Sequence, residues 1–365
     1  MNNSLLLKLS LIQSTLLTFI FKKILQSFSI LLGVVTIVFF LFFVIMPADP
    51  ARLSLGQRND AKTLANTRKE LFLDKPLPVQ YALYLNDLSP ISVYKNDSVS
   101  QAKYHYSVIS SIGNNALVAK WPYLRRSYQT KKEVSSMLLD AFPGTLILAV
   151  LSIVIASFFG ILLGIISACN KGTWIDTSAI LGSIVGISAP SFFIGIIIAY
   201  VFGYLLSNYT HLEIISPLWD YQPGVGKVLV AKSLILPVIT LAIRPMAIIA
   251  QITRSSMLDV LNQDYIRTAY AKGLSKNTVI RKHALRNALN PIITSISGWF
   301  AELLAGSFFI EFIFGWKGLG KVTVDALNKF DFPVLMGSVL FTSFLFIIIN
   351  ILLDVLYRIV DKRIE

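Results

Sequence analysis

Cysteine is nearly absent: the single Cys169 in 365 residues permits no intrachain disulfide. Histidine is almost as scarce, and His105, His211 and His283 stand at no metal-ligand spacing to one another or to Cys169, so the pattern offers no metal centre. Charge is also in short supply. Charged residues make up 15% of the chain, against about a quarter in an ordinary soluble domain. With 55% hydrophobic residues and a mean hydropathy of +0.66, the chain cannot coat a water-soluble protein of this size. No nucleophile elbow is present, which removes the commonest hydrolase arrangement. No repeat of fixed period is evident either, which argues against a carrier built from duplicated halves.

What the chain does have is long apolar runs. A bilayer crossing needs about 20 mostly apolar residues in succession, because a helix must satisfy its own backbone once water is gone. Six stretches qualify, at 24–46, 137–168, 178–206, 233–253, 290–314 and 333–357. The net charge of +13 is distributed in a way that fits a membrane rather than a nucleic acid. With a cytoplasmic N-terminus, most Lys and Arg outside 47–136 fall on the inner side, among them Lys22, Lys23, Arg254, Arg281, Lys282, Arg286 and Arg363. That asymmetry puts both termini inside. The segment 47–136 is basic as well, but segments longer than about 60 residues translocate largely regardless of charge.

The expected organisation is an all-α polytopic membrane protein with four parts. Residues 1–21 form a cytoplasmic extension, 22–46 the first span, 47–136 an extracytoplasmic segment, and 137–365 a five-helix core with a cytoplasmic loop at 254–290. Turn formers at Asp74-Lys75-Pro76 and Ser89-Pro90, and many aromatics between Tyr104 and Tyr128, indicate that the outer segment folds.

The cytoplasmic loop is the most informative region. From Asp264 to Leu274 it reads as a short helix, with Asp264 placed to cap its start and Gly273 to allow a left-handed stop. Ile266 and Tyr270, like Tyr265 and Ala269, lie one turn apart, which sets apolar side chains among the cations Arg267 and Lys272. A second helix starting at Ser275 carries Arg281, Lys282, His283 and Arg286 toward the fifth span. The helical pattern alone leaves two readings open: docking into a groove on a partner, or anchoring at acidic lipid headgroups.

Two ionisable residues fall inside spans, Arg244 in the fourth and Glu302 in the fifth, each about 15 Å from the outer end at 1.5 Å per residue. Unpaired charge at that depth is costly, so the two are expected to pair or to line a polar cavity. Pro245 is a candidate bend, and Asp354 and Arg358 are a candidate ion pair one turn apart. Gly315-Trp316-Lys317-Gly318-Leu319-Gly320-Lys321 fills most of a phosphate-binding loop, but Val322 stands where magnesium needs a hydroxyl. The run also follows a helix rather than a strand, so ATP is not expected there.

Several ordered motifs carry a family resemblance. The run 264–291, ending His283-Ala284-Leu285-Arg286-Asn287-Ala288-Leu289-Asn290-Pro291, resembles the cytoplasmic signature of binding-protein-dependent ABC importer permeases. It is most similar to the first permease subunit of the dipeptide, oligopeptide and nickel group. Pro47-Ala48-Asp49-Pro50-Ala51-Arg52, Leu73-Asp74-Lys75-Pro76-Leu77, Ser188-Ala189-Pro190-Ser191-Phe192, Glu311-Phe312-Ile313-Phe314-Gly315-Trp316, and Asp331-Phe332-Pro333 match in the same order. The resemblance spans about 22–365, with 89–120 as an insertion and Arg267 where the wider family often has glutamate.

The resemblance implies a type I importer permease with six transmembrane helices and no ATPase site of its own. It implies as partners a second homologous permease, two cytosolic ABC ATPases that hold ATP and Mg, and an extracytoplasmic solute-binding protein. The setting is membrane lipid, in a bacterial or archaeal cytoplasmic membrane, with no nucleic acid. Asp264, Tyr265, Ile266, Arg267, Ala269, Tyr270, Lys272, Gly273 and Leu274 become the expected ATPase-docking residues, and Pro190, Ser191, Phe192, Arg244 and Glu302 the expected lining of the solute path. The alternatives are an ion-coupled carrier, for which Glu302 is the best carboxylate, and a membrane receptor that does not transport.

Overall fold

The computed structural model describes residues 3–45, 49, 51–52, 61–70, 72–215, 219–222, 224 and 226–360. The side chains of 3–21, 63, 66–67, 70, 112, 219–222, 227, 229, 306 and 356–360 lie outside that description, and with them Arg358, one half of the expected Asp354–Arg358 pair. The chain divides into two compact units, Met1–Asp140 with Val322–Ile347, and Ala141–Lys321 with Ile348–Glu365.

Among the described residues, four helices are long and apolar enough to cross a membrane, or up to five if one bent pair counts as a single span. The first unit holds α1 (Asn3–Phe40), extended by a wider turn at Leu41–Ile45. Its apolar part begins at Lys22, and the helix runs through that point without a break from Asn3. No proline or glycine before Gly33 interrupts it.

After α2 (Ala61–Glu70) and α3 (Leu77–Leu88), the all-helical expectation fails: a three-stranded antiparallel sheet forms from β1 (Ile91–Lys95), β2 (Ser107–Ile112) and β3 (Asn115–Ala119), in the order β1-β3-β2. The β-branched alternation of Ile91-Ser92-Val93 is a strand signal that the aromatic count concealed. A short helix, α4 (Ser98–Tyr104), links β1 to β2, and the Asp97 carboxylate accepts the Ser100 N–H at 2.6 Å to cap it. One face of the sheet is closed by tyrosine: the Tyr94 and Tyr104 rings stack at 4.1 Å, and Tyr104 meets Tyr123 edge-on at 4.9 Å.

Two carboxylates explain two of the unit's motifs. Asp49 accepts the Ala51 N–H at 3.0 Å and pairs with Arg68 at 2.6 Å. Buried Asp331 accepts from the Ser127 hydroxyl and from the Tyr128 N–H at 2.9 Å, tying the loop 125–133 to the start of a long helix at Phe332. Phe39, Tyr81 and Tyr84 pack together beside Met336 and Leu340, and the Thr36 hydroxyl lies 2.7 Å from the Tyr81 hydroxyl.

The second unit takes most of α5 (Val134–Cys169), then α6 (Trp174–Ser188) and α7 (Ser191–Tyr200). The expected third span is broken: the helix pair of 174–205 bends by 103°. Pro190 causes the break, because the residue before proline is pushed out of the helical region, and Ala189 sits extended at φ −78°, ψ 132°. A two-stranded hairpin, β4 (Trp219–Gln222) and β5 (Gly226–Leu229), precedes α8 (Ile235–Leu261). Pro245 lies inside α8 without ending it.

Then come α9 (Asp264–Ala271), α10 (Leu285–Gly306), α11 (Phe308–Ile313), α12 (Leu319–Asn328) and α13 (Phe332–Val360). The expected fifth span is thus two helices parted at Ser307. Gly160 and Gly164, one turn apart on α5, let α8 approach closely: a Cβ there would lie 2.8 Å from Met246 O and 2.6 Å from Ala250 O.

Candidate functional site

The loop between α8 and α10 folds as a short helix, a glycine turn and a second helix. Gln263 occupies the N-cap position without a side-chain cap, correcting the assignment to Asp264. Asp264 is instead the first helical residue, where its charge complements the helix dipole, and it lies 3.5 Å from Arg267. The far end is closed by a Schellman turn: Gly273 N–H donates to Tyr270 O at 2.9 Å and Leu274 N–H to Ala269 O at 3.3 Å. This requires a left-handed residue, and Gly273 takes φ +79°.

The helix has two distinct faces. Ile266 and Ala269, at 1% and 6% exposure, point into the core with Val279, Ala284 and Ala288. They hold the helix down and are not part of its outer surface, contrary to their expected place in the docking set. Tyr265 and Tyr270 are 42% and 43% exposed, and Arg267, Lys272, Gly273 and Leu274 are exposed beside them. The Asn287 amide donates to the Tyr265 hydroxyl at 3.0 Å and to His283 O at 2.9 Å, so the start of α10 fixes one of the outward tyrosines. Lys276–Thr278 begins the second helix as expected, and a wide turn at Val279–Ala284 carries it into α10 without a break. Such wide turns recur at functional positions.

Above this loop lies a buried ion pair that composition and motif reading missed. Asp176, near the start of α6, receives Arg254 of α8 through two parallel bonds of 2.6 and 2.8 Å. Ser167 Oγ and the Gly172 N–H, the latter at 3.0 Å, complete the carboxylate's partners. One residue thereby ties together the end of α5, the turn after it, α6 and α8. The only available signal was an aspartate three residues after a Gly-Thr turn.

The glycine-rich run that mimics a phosphate loop is also accounted for. It does form a helix N-terminus, that of α12, but the anion it holds is the chain's own Glu311 carboxylate. Glu311, fully buried, accepts the Gly320 N–H at 2.7 Å, the Lys321 N–H at 3.2 Å, the Thr145 hydroxyl at 2.7 Å and the Ser307 hydroxyl. Thr145 Oγ1 in turn accepts the Leu319 N–H at 2.8 Å, and Trp316 Nε1 donates to Gly144 O at 3.0 Å. A Cβ at Gly318 would overlap the Glu311 carboxylate and the Thr145 hydroxyl, so the glycines are needed for the carboxylate to approach.

The expected path residues are distributed differently from the expectation. Pro190, Ser191 and Phe192 form the elbow between α6 and α7, with the Phe192 ring 6.1 Å from Phe309. Arg244 and Glu302 are both exposed, and among the described residues no ion pair joins them. Matching depth fixes position along a helix axis but not the angle around it. Arg244 instead lies over the Trp299 ring at 5.6 Å.

Comparison with known proteins agrees with this architecture. Residues 160–365 match the family of binding-protein-dependent transport system inner membrane components, and residues 16–149 match the N-terminal part of such membrane components. A protein of Brucella abortus (strain 2308) named as a peptide transport system permease is 35% identical over 348 residues, covering 95% of this chain and 98% of its own. A glutathione transport system permease protein of Salmonella typhimurium is 34% identical over 353 residues, covering 96% and 99%. The chain belongs to the binding-protein-dependent inner membrane components, as a multi-pass permease subunit of an ATP-binding cassette importer that is not itself catalytic.

Proposed function

We propose that this permease pairs with a homologous second permease, two cytosolic ATPases that hold ATP and Mg, and an extracytoplasmic solute-binding protein, and that its cargo is a peptide or a peptide-like solute such as glutathione. The names of its relatives support that cargo class. In this reading the chain crosses a bacterial or archaeal cytoplasmic membrane six times, with α6 and α7 as one bent span and α10 and α11 as another. Both termini are cytoplasmic, and 47–136 lies outside.

The observation that carries the reading is the two-faced helix α9. Its inward side is locked by Ile266 and Ala269 and its end by the Gly273 turn, while Tyr265, Arg267, Tyr270, Lys272 and Leu274 stand out from the surface. Two half-exposed tyrosines beside two cations suit a partner groove better than a headgroup layer, because aromatics and arginine are the side chains that anchor protein interfaces. The rigid link from Gly273 through the wide turn into α10 gives a partner's motion a direct route into a spanning helix. ATP-driven closure of the two ATPases would move α9, and with it the helices that set outward or inward access. Pro190, Ser191, Phe192, Arg244 and Glu302 line the route.

Affinity purification in mild detergent from the native membrane tests the reading. The tagged chain should bring down two ATPase polypeptides, a second permease and a solute-binding protein. Recovery of the chain alone, with solute uptake intact, would favour a self-sufficient carrier and overturn it.

A further inference from the structure

The outward side chains of α5 at Leu151, Val154, Phe158 and Leu162 are apolar, as a lipid-facing helix requires. The packed pair α8 and α10 is different. Exposed Arg244, half-buried Gln251 and exposed Ser255 follow one another at helical spacing along one side of α8, and exposed Asn287, Thr294 and Glu302 do so on α10. A face of that composition cannot stand against hydrocarbon.

Within it, two opposite charges are left unneutralised. Glu302 is exposed with no hydrogen bond or ion pair among the described residues. Arg244 has its guanidinium over Trp299 at 5.6 Å and, among the described residues, no anion. Trp299 precedes Glu302 by three residues, so all three share a region of the α8–α10 pair. A guanidinium held near a ring by its charge still has N–H donors to offer a carboxylate.

We propose that Arg244, carried on Trp299, and Glu302 form a transient subsite for a zwitterion, with Arg244 taking the C-terminal carboxylate of a peptide and Glu302 its terminal ammonium. The inference rests on the reading of this chain as a peptide-importing permease. Two separated, opposite, unpaired charges match a molecule that carries both signs at its ends, and a net-neutral solute leaves no charge behind when it moves on. Selection would then continue past the solute-binding protein, inside the permease itself.

The test uses the complete importer in proteoliposomes with three probes: trialanine, its C-terminal amide and its N-acetyl derivative. The same binding protein serves every permease variant, so its own preference cancels when variant is compared with wild type. Arg244→Gln should cut trialanine uptake about tenfold or more while leaving the amide unchanged, so the free-to-amide ratio falls. Arg244→Lys should restore most of that ratio. Glu302→Gln should do the same to the free-to-acetyl ratio and spare the free-to-amide ratio. Equal loss for all three probes overturns the subsite, and so does loss of the second permease on purification, which would assign the charges to a subunit interface. An assembled wild-type importer that moves none of the probes and no glutathione overturns the cargo reading, and the subsite falls with it.

Discussion

Replacing Glu311 with alanine removes the acceptor of four donors at once: the N–H groups of Gly320 and Lys321 and the hydroxyls of Thr145 and Ser307. The two hydroxyls can rotate toward backbone carbonyls. The two amides cannot, because they are fixed at the first turn of α12 with no carbonyl ahead of them. A buried donor left without an acceptor costs about 1–3 kcal/mol; Gly320 N–H is buried and Lys321 N–H half-buried, so the two together cost about 2–4 kcal/mol. That is a large share of a typical total of about 5–15 kcal/mol. At about 2–4 °C per kcal/mol for a unit of this size, the melting midpoint of the detergent-purified chain should fall by about 5 °C or more. Glu311→Gln should fall nearly as far, since its amide group turns N–H toward N–H on one side. Formate or acetate added to the alanine variant should recover part of the loss by refilling the helix end. A midpoint within about 1 °C of wild type, together with no response to added carboxylate, would refute the account of this motif as an internal anion site.

Gly273→Val forces a β-branched residue into the left-handed region at φ +79°, at a cost of about 1–2 kcal/mol or more; ATP hydrolysis should persist while uptake per ATP drops severalfold, read in proteoliposomes. Arg254→Ala strips buried Asp176 of its bidentate partner, and losing one side of such a pair costs about 3–5 kcal/mol, which should appear as a lower melting midpoint that Asp176→Asn in the same chain partly relieves. Lys120 is buried, and desolvation more than offsets the attraction of Asp87, holding its amine at about 8 rather than 10.5. The folded segment therefore prefers the neutral amine, so its stability is lowest below pH 8 and rises as pH climbs from about 8 toward 10.5. Limited proteolysis of 91–133 should slow across pH 8–9.5 in wild type, relative to a Lys120→Met control that lacks the trend.

Apolar run length pointed to the long apolar helices, because backbone satisfaction in lipid leaves little freedom, though among the described residues only four, or five with the bent pair, are long enough to cross a membrane. It could not locate where helices break. The elbow at Ala189-Pro190 was present as a proline, yet Pro245 sits inside an unbroken helix; what separates them is tertiary packing, to which run length is blind. The Gly273 stop was readable because left-handed backbone leaves a residue signature. The faces of α9 were less so: Ile266 and Tyr270 share a helical row, but only the packing of Val279 and Ala284 beneath shows that the isoleucine turns in and the tyrosine out. Asp176 and Glu311 were hard to single out, since each joins nearby donors to one partner far along the chain, 78 residues away for Arg254 and 166 for Thr145. The sheet at 91–119 was hidden by short strands whose tyrosines read only as a reason to fold.

The outward face of α9 is tested most directly by single cysteines placed at Tyr270, Lys272 and Leu274, and at Ile266 and Ala269, in a Cys169→Ser background within the assembled importer. The three outward positions should cross-link to an ATPase subunit with a yield that changes when ATP is bound, and the two inward positions should not. Outward cysteines that react with a membrane-impermeant thiol reagent from outside the cell, or that cross-link to no ATPase in the active complex, would contradict the account.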